Sequence, residues 1–145
     1  MKKQFKSAFS LVELTLALGI FAFCLITVFA LVPIAVLTNR NATSQTAATN
    51  IMAAVAADLR ATLKSSNTSA QFAITFGTAK TLYFDGSGQF STSVQSGSRY
   101  QLNVTWPSSG WNGLQYADVK VTWPAVATSA NAGGSAEMIA AFDRN

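Results

Sequence analysis

Histidine is absent from this 145-residue chain, and charged side chains make up only 11% of it. Without His the chain lacks the commonest general base, the usual catalytic triads and most zinc-site ligands. Gly86 and Gly88 precede a strand-like run, so they form no phosphate-cradling motif. The carboxylates after residue 50 stand singly, at Asp58, Asp85, Asp118, Glu137 and Asp143. We therefore expect no enzyme activity, no metal site and no cofactor.

Cysteine occurs once, as Cys24, inside a long apolar run. An intrachain disulfide is therefore excluded. We interpret Cys24 as a small hydrophobic side chain, the usual role of a free Cys in apolar surroundings.

The apolar run extends from Phe9 to Leu37 and carries one ionisable side chain other than Cys24, the carboxyl group of Glu13. It contains 19 consecutive uncharged residues from Leu14 to Val32. As a helix these measure about 28 Å, close to the thickness of a bilayer's hydrocarbon core. A carboxylate at mid-membrane costs about 2.5–3.5 kcal/mol, and less near the interface. The run is long enough to span a membrane, and Glu13 requires an explanation.

The features around the apolar run stand in an unusual order. A secretory signal places its small-residue cleavage site after the apolar stretch. Here the small residue, Ala8, precedes that stretch and follows Lys2, Lys3 and Lys6. Cleavage after Ala8 would remove eight residues and leave the membrane helix on the mature chain.

Lys2, Lys3 and Lys6, then Ala8, then Phe9-Ser10-Leu11-Val12-Glu13 and the apolar run together resemble the type IV prepilin leader of pilins and pseudopilins. The resemblance covers about the first forty residues. Many major pilins staple a C-terminal loop with a pair of cysteines, which this chain lacks, so within the family we expect a PilV-like minor pilin or a pseudopilin. It implies that a prepilin peptidase cleaves between Ala8 and Phe9, that the same enzyme N-methylates Phe9, and that Glu13 is needed for assembly. The family usually has Gly before the cut, and Ala8 is small enough to replace it.

The resemblance also implies partners and a location. The partners are the prepilin peptidase and methyltransferase, other pilin or pseudopilin subunits, and inner-membrane lipid before assembly. The location is the bacterial inner membrane, as a single-pass protein with its C-terminal domain outside the cytoplasm, and then the pilus or pseudopilus. The leader lysines agree with this orientation, because Lys and Arg beside a membrane segment stay in the cytoplasm.

The physics of Glu13 agrees with an assembly role. Cleavage at Ala8 creates an amine on Phe9, and in a staggered bundle that amine can meet Glu13 of a neighbouring copy in low-dielectric surroundings. Such a pair would set the axial register of the subunits. In the alternative, Glu13 lies at the headgroup boundary and has no function.

Net charge argues against nucleic acid as a partner. The chain carries +4, but Lys2, Lys3 and Lys6 belong to the leader. The mature chain would have seven cationic and six acidic side chains, so we expect no nucleic-acid binding.

A single long helix is predicted from near Ser7 or Phe9 to Lys64, kinked or loosened by Pro33 around Phe29 to Pro33. Its second half is amphipathic. Spacings of three and four place one apolar stripe on Ala48, Ile51, Met52, Val55, Leu59 and Leu63. Polar residues are expected on the other faces, at Arg40, Gln45, Asn50, Asp58 and Lys64.

Residues after 66 predict a small antiparallel sheet. Strands are expected at Gln71 to Phe76, Thr81 to Phe84 and Glu137 to Phe142, with Gln89 to Val94 pairing back after an Asp85-Gly86 turn. That turn has too few carboxylates for a calcium loop. Two period-two runs between Arg99 and Pro124 predict a hairpin with Val104 opposite Val119 and Tyr100 opposite Trp123. Ala125 to Ser135 reads as a flexible connection.

Three tryptophans raise the question of a ligand surface. Trp106 and Trp123 each precede Pro, which suits core residues at strand ends better than an aromatic platform for a sugar or peptide. Trp111 lies in a glycine-flanked loop and is the best single candidate for a partner contact, but we favour the interpretation that it folds back over the core.

The expected fold is therefore α+β and pilin-like. A leader covers residues 1–8, a membrane and assembly helix 9–37, an amphipathic helix 38–66 and a sheet domain 67–145. The expected function is a structural subunit, minor pilin or pseudopilin, of a type IV pilus or type II secretion pseudopilus. The alternatives are a single-pass membrane-anchored ligand-binding protein that is not assembled, and a competence pseudopilin for DNA uptake.

Overall fold

The computed structural model describes residues 10–107, 113–127 and 131–144. One helix, α1 (Leu11–Ala61), precedes five strands: β1 (Lys80–Asp85), β2 (Phe90–Ser91), β3 (Ser98–Thr105), β4 (Leu114–Trp123) and β5 (Gly134–Asp143). The strands form one antiparallel sheet in the order β2-β1-β3-β4-β5. The predicted α+β layout, with a long N-terminal apolar helix and an antiparallel sheet, is confirmed.

The chain divides into two compact units, residues 1–40 and 41–145. In the first unit the described residues are almost entirely α1, and their side chains are exposed. In the second unit the rest of α1 packs with the sheet. Its core combines helix residues with alternate residues of four strands. The helix contributes Ala48, Ile51, Met52, Val55 and Leu59, and the strands contribute Leu82, Phe84, Tyr100, Leu102, Val104, Ala117, Val119, Val121, Ala140 and Phe142.

Leu63 does not belong to the apolar stripe, although the spacing predicted it there. Helix α1 ends at Ala61, so Leu63 follows a different backbone path and its side chain is 73% exposed. The guanidinium of Arg144 binds the backbone beyond the helix end. It donates to the carbonyl oxygens of Thr62 and Leu63 at 3.2 and 3.1 Å, and it lies 4.2 Å over the ring of Phe76. Cations are favoured at a helix C-terminus because the last carbonyls have no partner in the helix.

Asp58 was predicted on a solvent face, and this prediction is wrong. Its side chain is 9% exposed, and its carboxylate accepts hydrogen bonds from the backbone N–H groups of Gln71 at 3.1 Å and Phe72 at 2.9 Å. The carboxylate thus satisfies two donors of the segment that covers the helix. Buried polar groups without such partners are costly.

Gln71 to Phe76 was predicted as a strand, and no strand forms there. Asp58 takes the first two backbone donors, the hydroxyl of Ser69 accepts from the Ile74 N–H at 3.1 Å, and Ala73 adopts a positive φ of 50°. In place of a strand ladder, the segment forms an isolated bridge between Thr75 and Thr68. The apolar alternation that suggested a strand instead buries Phe72, Ile74 and Phe76 in the core.

Removal of the Asp58 carboxylate should destabilise the second unit. We expect Asp58→Ala to lower the free energy of unfolding by about 2–4 kcal/mol, since two N–H groups lose a charged acceptor. Asp58→Asn keeps one acceptor oxygen and should lose clearly less. Chemical denaturation followed by tryptophan fluorescence measures both, because all three Trp residues follow residue 100. Equal stability of Asp58→Ala and wild type would contradict this role.

The central hairpin was predicted correctly. Val104 pairs with Val119 in the ladder between β3 and β4. The ladder pairs Gln101 with Thr122, and the rings of the residues next to them, Tyr100 and Trp123, lie 6.3 Å apart in an edge-on arrangement. Trp106 packs against the core and donates its indole N–H to the Thr78 carbonyl at 3.0 Å. Both tryptophans are thus packing residues at strand ends.

The outer strands differ in length from their predictions. β2 contains only Phe90 and Ser91, whereas β5 contains ten residues and begins at Gly134, inside the stretch expected to be a flexible connection. The early start of β5 depends on a close approach to β4 at Gly134. A Cβ added to Gly134 would lie 2.4 Å from the indole ring of Trp123, its partner in β4. Only glycine lets this end of β5 pair beneath the indole.

Two adjacent glycines test this packing. We expect Gly134→Ala to destabilise the second unit by about 1–3 kcal/mol, the usual cost of overpacking a closed site. Gly133→Ala is the matched control, because its new Cβ would meet the nearest atom, the Trp123 carbonyl oxygen, at 3.5 Å. It should be neutral or slightly stabilising through reduced unfolded-state entropy. Thermal unfolding compares the two variants, and equal melting temperatures would contradict the packing role of Gly134.

Candidate functional site

The apolar part of α1 is the candidate functional site because it exposes a surface that water does not favour. Its large apolar side chains between Leu11 and Leu37 range from 79% exposed at Leu11 to 40% at Leu25. Soluble monomers rarely expose contiguous apolar patches of this extent. By length and composition α1 can cross a membrane, and its most apolar window contains no buried residue.

The two threonine hydroxyls between Leu11 and Leu37 are satisfied locally. Thr15 donates to the carbonyl oxygen of Val12 at 3.0 Å, and Thr27 donates to that of Cys24 at 2.8 Å. Such bonds to the preceding turn remove the need for water. From Leu11 to Leu37 the side chains therefore present little unsatisfied polarity apart from Glu13.

Glu13 lies in the first turn of α1, where its carboxylate is exposed and close to the positive end of the helix dipole. No neighbouring side chain buries it. Ala8 and Phe9, the predicted cleavage site and the source of the amine expected to pair with Glu13, lie outside the described residues. The predicted cleavage, methylation and register roles therefore stay predictions.

One face of α1 near Glu13 carries a shallow depression. Apart from the nearby backbone of its own helix, nothing lies within 4 Å of the position that a Cβ on Gly19 would take, and a depression surrounds this residue. The depression is lined by Val12, Thr15, Leu16, Gly19, Ile20 and Phe23. Small residues of this kind let neighbouring membrane helices approach closely.

Pro33 and Cys24 both lie within α1. The helix is α-helical on both sides of Pro33, without a break, so a kink or loosening at this residue stays a prediction. Cys24 is an exposed free thiol. Trp111, the candidate for a partner contact, lies outside the described residues.

The second unit contains one tightly bonded turn at the predicted Asp85-Gly86 position. Oxygen Oδ1 of Asp85 accepts from the Ser87 hydroxyl and N–H, each at 2.8 Å, and from the Gln89 N–H at 2.9 Å. The hydroxyl of Ser87 and the N–H of Gln89 hold the pKa of the Asp85 carboxyl below its usual value. This stabilisation is therefore present above the unfolded-state pKa and is lost as pH falls through the folded-state pKa.

The described residues contain no group of three or more His, Cys, Asp or Glu that could hold a metal. A groove of about 290 Å³ lies between α1 and the Asp85 turn within the second unit. It is lined by Ala47, Asn50, Ile51, Ala54, Gln71, Phe72, Phe84, Asp85, Gly86, Ser87, Gly88 and Tyr100. Asp85, the carboxylate among them, is committed to its own turn.

Comparison with protein-family models, with curated proteins and with solved structures finds no match to this chain.

Two features of the second unit escaped sequence reasoning. Residue spacing did not predict the burial of the Asp58 carboxylate. Asp58 is next to Leu59 in sequence but is not itself a member of the predicted apolar stripe. Arg144 binds carbonyl oxygens about eighty residues earlier in the chain, and no local pattern indicates that contact. Both residues stabilise the fold, and neither lies in the apolar segment.

Proposed function

We propose that the chain is a structural subunit of a type IV pilus or of a type II secretion pseudopilus, as a minor pilin or pseudopilin. A prepilin peptidase cleaves it between Ala8 and Phe9 and methylates Phe9, and the subunit then assembles through its N-terminal helix. The observation that carries the proposal is one carboxylate, Glu13, at the start of an exposed apolar helix and five residues after a small residue that follows a basic leader.

The architecture of the described residues supports this function. A helix that is apolar and exposed in its first part and packed on an antiparallel sheet in its second part suits a subunit that is stored in a membrane and later joins a helical bundle. In the bundle, exposed apolar side chains such as those around Gly19 are covered by neighbouring helices. Glu13 then exchanges water for a cationic partner on an adjacent copy, which fixes the register.

The mass of the mature protein tests the proposal. We expect protein purified from its native host to lack residues 1–8 and to carry one added methyl group on Phe9. Intact-mass and N-terminal peptide mass spectrometry measure both. An uncleaved chain that begins at Met1 would contradict the proposal and favour a single-pass membrane-anchored protein that is not assembled.

Variants at the cleavage site sharpen this test. When the chain is co-expressed with a prepilin peptidase, Ala8→Gly should be cleaved at least as fast as wild type, because the family usually has Gly at this position. Ala8→Asp should remain uncleaved, since a charged side chain does not fit a pocket for a small residue. Equal processing of all three chains would show that another protease acts elsewhere.

A further inference from the structure

Glu13 and Arg40 are the only charged residues between Lys6 and Asp58. Both lie on α1, 27 residues apart, and both are exposed. At 1.5 Å per residue their Cα atoms are about 40 Å apart along the helix axis. A bilayer with its two headgroup layers is about 40–45 Å thick. The spacing of the two charges therefore exceeds the hydrocarbon core of about 30 Å and, even in a tilted helix, places one charge in each headgroup layer.

The surroundings of Arg40 suit a phosphate group. Leu37 is the last apolar residue before Arg40. Val36 and Leu37 are exposed and lie one helical turn before Arg40, so the aliphatic stem of Arg40 can lie along them. One turn forward are Thr43 and Ser44, so no acidic side chain lies within a helical turn. A guanidinium at the end of an apolar stem reaches the membrane interface readily and binds phosphate oxygens through two parallel N–H groups.

We propose that Arg40 binds the phosphate of a phospholipid in the leaflet reached by the C-terminal end of the membrane segment. This inference deepens the proposed function, because it specifies how the subunit is held before assembly. With Arg40 at one phosphate layer, Glu13 lies in the headgroup layer of the opposite leaflet. The carboxylate is then hydrated until a neighbouring subunit supplies a partner.

The apolar length fits this arrangement with a tilt. Leu14 to Leu37 contains 24 residues, or about 36 Å of helix, against a hydrocarbon core of about 30 Å. A span longer than the core tilts so that its anchors stay at the two interfaces. Arg40 thus acts as an axial stop that sets the depth of the whole segment.

Cys24 provides the probe for the test, because it is the only cysteine and is exposed on α1. The full chain is spin-labelled at Cys24 and reconstituted in vesicles of phosphatidylcholine and phosphatidylglycerol. Depth is measured from the accessibility of the label to oxygen and to a water-soluble nickel complex. The variants move the cation by three residues in either direction, to positions that are exposed on α1: Arg40→Gln with Thr43→Arg, and Arg40→Gln with Leu37→Arg.

Three residues correspond to about 4.5 Å along the helix. We expect the first double variant to move the label by up to this distance toward the leaflet that holds Glu13, and the second to move it by a similar distance in the opposite direction. Arg40→Lys keeps a cation at the same position and should leave the depth unchanged. A label whose depth is the same in both double variants would overturn the proposal.

Vesicles of digalactosyldiacylglycerol, which has no phosphate, show whether phosphate is the ligand. In these vesicles the double variants should have the same label depth as wild type, and displacements equal to those in phospholipid would overturn phosphate binding.

The experiment needs neither peptidase nor filament. A label in water in every vesicle would overturn the membrane placement and with it the proposed function. A label in hydrocarbon at a depth independent of the cation would overturn only the role of Arg40.

Discussion

Replacement of Glu13 by Ala is expected to leave the chain in the membrane and to remove it from filaments. Loss of the carboxylate removes a charge whose cost reaches about 2.5–3.5 kcal/mol at mid-membrane and is smaller near the interface. Insertion should therefore be unchanged or improved. Assembly should fail, because the amine of the neighbouring subunit would enter low-dielectric surroundings without a counter-charge, and an unpaired buried charge is strongly destabilising.

The measurement separates insertion from assembly. Membrane fractions and sheared or chemically cross-linked filament fractions are probed for the subunit in cells that express wild type or variant. Glu13→Gln keeps the size of the side chain and should fail like Glu13→Ala, whereas Thr15→Ala, two residues along the same helix, should assemble normally. If Glu13→Ala is found in filaments at the wild-type level, Glu13 does not set the register.

Replacement of Val104 by Asp is expected to unfold the second unit. Val104 is fully buried, pairs with Val119 and packs with the helix residues of the core. A carboxylate there loses its hydration without gaining a partner. The expected loss is about 4 kcal/mol or more, at the upper end of single-residue effects. Since whole domains have only about 5–15 kcal/mol of stability, the variant should be largely unfolded or close to it.

Limited proteolysis of the full chain measures this effect. Val104→Asp should be cleaved rapidly within residues 41–145, whereas Gln101→Asp, on the opposite face of the same strand and half-buried, should remain close to wild type. Membrane insertion of Val104→Asp should be retained, because the apolar segment contains no part of this core. A protease-resistant Val104→Asp would show that the facing of β3 is wrong.

Local sequence patterns predicted the structure correctly where it depends only on residues within one helix or one hairpin. The apolar run with one carboxylate predicted an exposed membrane-length helix, because hydrophobicity and helix length depend only on consecutive residues. The alternation along Arg99 to Pro124 predicted the register of Val104 and Val119, since a shift by one residue would turn every apolar side chain to solvent.

Local patterns failed where a distant residue changes the outcome. Gln71 to Phe76 alternates like a strand, but Asp58, thirteen residues earlier, takes its first backbone donors and prevents ladder formation. Leu63 has the spacing of a stripe residue, but the helix ends before it. Periodicity compares residues two to four positions apart, so it does not detect a contact between Asp58 and Gln71, and it does not indicate where a helix ends.

The amino-acid sequence by itself determined that the chain has a membrane-length apolar helix, a single carboxylate near its start and a cation about one bilayer thickness further along. These properties depend on residue type and on the fixed rise of a helix. Only the tertiary structure decided that Asp58 is buried, that Gly134 lies against Trp123 and that Arg144 binds the end of the helix. Those contacts join groups distant in sequence, and packing alone brings them together.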